Sequence, residues 1–216
     1  LSSTSLLANT PSTNYAIELA KKNKKLAVGL HFNITEGPSM IGVSSLTDSK
    51  GYFLNKFKIN SRVYFNTINL KDLEKELMAQ YQFITNQGLS LTHIDSHQHM
   101  HMNPRIFKIV ANFAKNRGIN IRIAFPHFIK RAHGRINFKK RIKQLVLHYA
   151  SKTNSKYADK ISLKYNKSFN SIFDFHPFKL PTEIDYINLV DLAKSNIHEL
   201  MVHVYEYSDQ LKEFYN

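Results

Sequence analysis

Residues 93 to 101 read HIDSHQHMH, which sets His93, Asp95, His97, His99 and His101 at every second position. Four of the chain's 11 histidines fall in this stretch. Neutral imidazole binds a transition metal through one ring nitrogen at about 2.0–2.1 Å, and a carboxylate on the other nitrogen fixes the tautomer. Imidazole is also the side chain whose proton exchanges near neutral pH. Side chains alternate along a strand, so His93, Asp95 and His97 share one face for as long as the strand lasts. His99 and His101 are expected beyond it. Any one histidine taken alone is more often a core or surface residue. Crowding groups that can protonate together is costly without a role, so the cluster as a whole points to a metal or proton-transfer site.

A second constellation is GLHFNITEG, residues 29 to 37. His31 sits near the end of an apolar run, and Asn33, Thr35 and Glu36 follow on what reads as a loop, where ligand contacts concentrate. A third is ELMVHV, which carries Glu199 and His203 at another apolar run's end. Alone it reads as core with one stray histidine. Arg122 lies within INIRIA, and a cation in an apolar strand needs a partner or a cavity.

Elements must exist to hold these groups. The chain has 216 residues, 43% of them apolar, enough for one domain over residues 1–216 with a sizeable core. No apolar run approaches the roughly 20 residues that span a bilayer, and LSSTSLLANTPS lacks the basic start of a signal peptide. There is no cysteine. Disulfides and thiolate metal sites are excluded, a reducing cytoplasm fits, and any metal must be held by His, Asp, Glu or water. The net charge of +14 raises the question of nucleic acid, all the more because Lys130, Arg131, Arg135, Lys139, Lys140, Arg141 and Lys143 fall together. Most charge runs are solvated surface, and neither an RNA-binding aromatic signature nor zinc-finger spacing accompanies this one.

Periodicity supplies the frame. Tyr15, Ala16, Leu19 and Ala20 form a helical stripe, and Leu26–Phe32 a buried strand. Leu70, Leu73, Leu77, Tyr81 and Ile84 keep helical spacing up to Gly88, and Leu89–Asp95 reads as the next strand. Pro104 opens a helix with Phe107, Val110 and Ala114 on one face, and Gly118 ends it. Ile119–Ala124 is a strand. Ile142, Leu145, Val146 and Tyr149 mark a helix whose cationic face is expected outward. Thr182 caps a helix with Ile187, Val190 and Leu192, and Glu199–Val204 is the last strand. Strands alternating with helices predict an α/β fold with a mostly parallel sheet, whose active groups gather at the carboxyl ends of strands.

These pieces together resemble the YdjC-like carbohydrate deacetylases, a family with chitooligosaccharide deacetylases and a hopanoid-pathway branch. The likeness runs in order through STSLLAN, GLHFNITEG, VSSLTDSKGYF, THIDSHQHMHMNP, IRIAFP and ELMVH, and the two histidine blocks are the specific ones. The resemblance implies a distorted, TIM-like (β/α) barrel and hydrolysis of the N-acetyl group of an amino sugar with a divalent cation, magnesium or else zinc. It places the metal ligands on His31 and His97, and puts Asp95 and His203 in the same pocket. There a carboxylate such as Asp95 would take a proton from water and His203 would protonate the departing amine, or the two roles would be exchanged. Asn33, Glu36, His99 and Arg122 are expected to meet the substrate. The family begins with a strand ending in a DDFG-like motif, whose aspartate joins the site, and continues past the last histidine. This sequence starts at STSLLAN and ends at Asn216, with Val-Tyr after ELMVH where the family has Pro-Gly. The implied barrel is therefore incomplete, its catalysis weakened, and an exposed edge favours a homodimer. Two other readings remain open at this point: a non-catalytic sugar- or metal-binding remnant, and a nucleic-acid-binding protein using residues 130–143.

Overall fold

Parallel strands need crossovers of a dozen or more residues, and the chain supplies one between each pair of its first four strands. The computed structural model describes residues 1–126, 138–171, 182–184, 187 and 197–203. Read from sequence as one domain, the chain packs as two compact units, Leu1–Arg122 with Thr153–Tyr165 and Ile123–Lys152 with Asn166–Asn216.

In the first unit β1 (Ser3–Leu6), β2 (Ala27–Phe32), β3 (His93–Ser96) and β4 (Asn120–Ile121) form a parallel sheet in the order β1-β2-β3-β4. Each strand lies beside its predecessor with no reversal. That is the winding of a (β/α) barrel, unlike a doubly wound sheet, whose order reverses at a switch point. Among the described residues the strands form this sheet and a separate two-stranded one; they do not close a ring. Beyond β4, the Ile121 N–H donates to the Lys164 carbonyl at 3.1 Å and Ile121 bridges Tyr165 in parallel.

Alternation along the strands separates two faces. Val28, Leu30, Phe32 and Ile94 are buried and apolar. Ser5, Gly29, His31, His93 and Asp95 occupy the intervening positions. The crossovers are α1 (Thr13–Lys22), α2 (Lys56–Tyr64) with α3 (Leu70–Thr85), and α4 (Pro104–Arg117). Their ends follow local rules. Asn55 caps α2 by accepting from the N–H groups of Phe57 and Lys58, and Asn69 caps α3 through the Lys71 N–H. Pro104 sits in the first turn of α4, and Gly118 ends it at φ 66°, a left-handed conformation that suits glycine. Ile106, Phe107, Val110, Ala111 and Ala114 of α4 are buried. In α1 the buried positions are Thr13, Ile17 and Ala20, whereas Tyr15 and Leu19 of the expected stripe are exposed.

The longest helix, α5 (Phe138–Lys160), contains Ile142, Leu145, Val146 and Tyr149 at the expected spacing. All four are exposed; spacing identifies an apolar side but not what lies opposite. Asn154, near the other end, is buried and donates to the Met102 carbonyl at 2.9 Å. Lys130, Arg131 and Arg135 of the basic run lie outside the described residues, as do the side chains of Lys139, Lys140, Arg141 and Lys143. So do Val190 and Leu192 of the helix expected after Thr182. The second unit holds β5 (Ser168–Ser171) paired in parallel with β6 (His198–Met201). No described helix is long and apolar enough to cross a membrane.

Between β2 and α2 the chain makes a long excursion, held from beneath by two polar residues in the buried stripe of α3. Glu76 and Gln80 are fully buried beside Leu73, Leu77 and Ile84. The Glu76 carboxylate accepts from the Ser39 hydroxyl (2.6 Å), the Met40 and Ile41 N–H groups (3.2 and 3.3 Å) and Gln80 Nε2 (2.7 Å). Gln80 also pairs with the Asn33 backbone, accepting its N–H at 3.0 Å and donating to its carbonyl at 2.6 Å. An orphaned buried polar group costs about 1–3 kcal/mol. Gln80→Leu, which keeps the volume and strands Asn33, is expected to lower the unfolding free energy by about 2–4 kcal/mol in urea titration. Leu77→Met, one position from the same strut, should cost less than about 1.5 kcal/mol.

Candidate metal and acyl-transfer site

The polar face of the sheet converges on one carboxylate. Asp95, from β3, is buried. His31, its register partner on β2, places Nδ1 2.7 Å from Asp95 Oδ1. Ser5, from β1, donates its hydroxyl to Asp95 Oδ2 at 3.1 Å. Arg122, just past β4, forms a close ion pair with the same Oδ2 through Nη1. Burial pulls the Asp95 carboxyl upward, but its pairing with His31 and the Arg122 guanidinium outweigh it and hold the group well below the usual carboxylate range. An ionised carboxylate only accepts hydrogen bonds. His31 therefore carries its proton on Nδ1 and keeps Nε2 as the nitrogen able to bind a metal.

His97 follows directly. Its ring stands perpendicular to that of His31, with 5.7 Å between ring centres and an interplanar angle of 88°. Two imidazoles sharing one cation at about 2.0–2.1 Å per nitrogen have ring centres roughly 5 Å apart. The donor set suits a divalent cation for a second reason: a ligating imidazole tied back to a carboxylate, as His31 is to Asp95, is the usual outer support of a metal histidine. Glu36 Oε2 lies 3.1 Å from His97 Nε2, and the Glu36 side chain is 73% exposed. Among the described residues no group of three His, Asp or Glu side chains forms a complete metal cage.

The turn that presents His97 is strained and clamped. His97–Met102 is a kinked 3-10 segment in which Gln98 (φ 53°) and His99 (φ 56°) are left-handed, a conformation that costs L-residues roughly 1–2 kcal/mol each. The buried His101 holds it closed. Its N–H donates to Ser96 Oγ (2.9 Å), its Nδ1 lies 2.6 Å from the same oxygen, and its Nε2 lies 2.8 Å from the Arg122 carbonyl. A carbonyl only accepts, so Nε2 is protonated and Nδ1 accepts from Ser96. His101 is thus a structural clamp that also ties the turn to Arg122.

His93 lies one strand turn below Asp95. Its Nε2 is 3.1 Å from Ser5 Oγ and its Nδ1 2.9 Å from Thr92 Oγ1. Its ring lies over Gly29, its register partner, so closely that a Cβ there would come within 2.4 Å of the imidazole.

The expected site residues thus divide. The fold brings His31, His97, Asp95, Arg122 and Glu36 together. His99 sits in the strained turn, half-buried, its ring centre 6.5 Å from that of His101. Three of them are already engaged within the fold. Asp95, expected to take a proton from water, bonds His31 through Oδ1 and Ser5 and Arg122 through Oδ2. Arg122, expected to meet substrate, is the cation that pairs with Asp95. Asn33, also expected to meet substrate, is buried and spends its amide on the loop. Its Nδ2 donates to Asn9 Oδ1 and the Glu36 carbonyl (3.0 and 2.7 Å), while its Oδ1 accepts from the N–H groups of Thr35 and Glu36 (3.0 and 3.2 Å). Asn9 completes this brace by donating to the carbonyls of Glu36 and Pro38 (3.0 and 2.9 Å). His203 follows β6 in the second unit, where its side chain is exposed. Sequence reasoning passed over Ser5, Asn9, Ser96 and Gly29. Ser5 and Asn9 carried a signal, since both fall in STSLLAN, the first block of the family resemblance.

Comparison with known proteins extends the picture. A family model described as YdjC-like protein matches residues 1–215. A chitooligosaccharide deacetylase of Yersinia enterocolitica is 37% identical over 124 residues, 57% of this chain and 48% of that protein. Those of Yersinia pestis and Yersinia pseudotuberculosis are 38% identical over the same length. The chain spans about half the length of these curated relatives. Among solved structures, an Enterococcus faecalis protein proposed to act in cellobiose-phosphate cleavage superposes with a TM-score of 0.67 at 20% identity, covering 99% of this chain and 74% of that one. That likeness supports the fold.

The His101 clamp sets a pH limit. Burial lowers its pKa from 6.5 to about 4. Above 6.5 both folded and unfolded chains hold it neutral. Between 6.5 and 4 the unfolded chain takes up a proton that the fold refuses, so stability falls by roughly 3 kcal/mol and levels off below that window. The difference in urea midpoint between pH 7 and pH 4.5 should therefore be smaller in His101→Gln than in the parent.

Proposed function

The chain belongs to the YdjC-like family, and from that premise we propose that it is a metal-dependent hydrolase that removes N-acetyl groups from amino sugars, with His31 and His97 holding the cation. The observation that carries this reading is the facing pair of imidazoles from two strand ends, one braced from behind by a buried carboxylate.

An acetamide is a poor electrophile and water a poor nucleophile; a divalent cation, magnesium or zinc, polarises the carbonyl and acidifies bound water. The chain's own residues prepare the place. Asp95 fixes His31 in the tautomer that turns Nε2 outward. The pairing with His31 and the Arg122 guanidinium together keep Asp95 ionised. The Ser96–His101 clamp holds the turn that aims His97. Glu36, exposed beside His97, offers a carboxylate to the hydroxyl groups of a sugar, and the brace through Asn9 and Asn33 fixes its backbone. The curated relatives are named for chitooligosaccharides, and a short N-acetylated chitooligosaccharide is the substrate class proposed here.

Titration calorimetry with Zn²⁺ and acetate release from diacetylchitobiose in the presence of Mg²⁺ or Zn²⁺ test the reading. His97→Ala should weaken cation binding by roughly 100-fold or more and abolish acetate release. Asp95→Asn, which leaves both ligands in place, should weaken binding about 10- to 100-fold. A parent chain without divalent-cation affinity, or a His97→Ala variant that binds as tightly as the parent, would refute the assignment.

A further inference from the structure

His93 belongs to the histidine cluster, yet neither cation binding nor the turn clamp uses it. We propose that His93 is a positioning residue for His31, acting at a distance through Ser5 and Asp95, and that Gly29 is glycine because the imidazole of His93 must lie against its backbone. The consequence for cation affinity rests on the metal reading above; the effect on His31 itself does not.

The direction of each hydrogen bond follows from proton count. Asp95 is ionised and accepts. Ser5 has one hydroxyl proton and gives it to Asp95 Oδ2. Ser5 Oγ can then only accept in its 3.1 Å contact with His93 Nε2, so Nε2 of His93 bears hydrogen. On the other side of the ring, the Thr92 hydroxyl lies 2.9 Å from Nδ1 and 3.1 Å from the Val28 carbonyl; its single proton serves only one of the two, and the hydrogen on Nε2 is required in either case. The chain of donors therefore runs His93 Nε2–H to Ser5 Oγ–H to Asp95 Oδ2. It ends on the carboxylate whose other oxygen receives the Nδ1–H of His31. Hydrogen bonds in series polarise one another, so a proton on His93 that points at Ser5 keeps the Ser5 hydroxyl pointed at Asp95.

Sterics make the arrangement specific. An ideal Cβ on Gly29 would sit 2.4 Å from Cδ2 and Nε2 of His93 and 2.6 Å from Cε1. Gly29 lies in mid-strand with no positive φ to require glycine, and glycine weakens a strand interior. The space is needed by the ring.

The test uses the full 216-residue chain with ¹⁵N-labelled histidine and reads the tautomer of His31 and the shift of its Nδ1–H proton by ¹H–¹⁵N correlation, without metal. In the parent His31 is expected in the Nδ1–H form. In His93→Leu the ionised Asp95 keeps that tautomer, but the weakened bond should move the Nδ1–H proton upfield. His93→Gln, whose amide can place a donor where Nε2 stood, should restore the parent's shift. Ser5→Ala removes the middle link with little change in packing and should reproduce the leucine variant even if that variant folds poorly. In parallel, Zn²⁺ affinity should fall about three- to tenfold in His93→Leu and Ser5→Ala, less than the loss of a direct partner of the ligand brings, and should return to within about twofold of the parent in His93→Gln. A His31 Nδ1–H shift unchanged in Ser5→Ala, or a glutamine variant no better than leucine, overturns the proposal. A parent with the Nδ1–H tautomer and no Zn²⁺ affinity sinks the metal reading and leaves the role of His93 standing.

Discussion

A carboxylate taken out of water is tolerated only where charge and hydrogen bonds replace its hydration, and the first unit is organised around meeting that condition at Asp95. Each of the four parallel strands contributes. β1 brings Ser5, β2 brings His31, β3 bears the carboxylate, and the residue after β4 is Arg122. The partners arrive from different strands because those strands lie side by side in chain order. Removing any one partner would leave a buried charge short of compensation, which is costlier than losing a surface ion pair. The same carboxylate fixes the histidine that the proposed chemistry depends on, so the stability of the sheet and the geometry of the site rest on one group.

Much of this was legible in the sequence. Alternation in HIDSHQHMH placed His93 and Asp95 on one face, and the buried cation at Arg122 advertised a partner, which proved to be Asp95. The end of α4 at Gly118 followed from its helix-stop signal. What periodicity could not show was what stands opposite a face. Ile142, Leu145, Val146 and Tyr149 have the spacing of a packed stripe and are exposed. Glu76 and Gln80 look like solvent-facing residues by type, yet their three- and four-residue spacing from Leu73 and Ile84 puts them in the buried stripe, where loop backbone groups satisfy them. Strand lengths were overread: Leu89–Asp95 and Ile119–Ala124 shrink to His93–Ser96 and Asn120–Ile121. An apolar run records burial, whereas a strand lasts only as long as its neighbour offers backbone partners.

The histidine cluster shows how one residue type takes several tasks within a few positions. His97 faces His31. His101 is kept neutral and closes a turn through Ser96 and the Arg122 carbonyl. His93 lies against bare backbone at Gly29. The left-handed pair Gln98 and His99 between them stores backbone strain of the kind that persists only where surrounding contacts over-determine it, and the Ser96–His101 bonds supply those contacts. Counting imidazoles therefore locates such a site without assigning it.

The order of the strands also bears on how the chain acquires its shape. A ribosome delivers β1, β2 and β3 before residue 122, so the nascent polypeptide carries Asp95 for some time with the serine and histidine contacts within reach but without its guanidinium. Burying the carboxylate at that stage would strand a charge. The sheet gains its full compensation only when the segment after α4 has emerged.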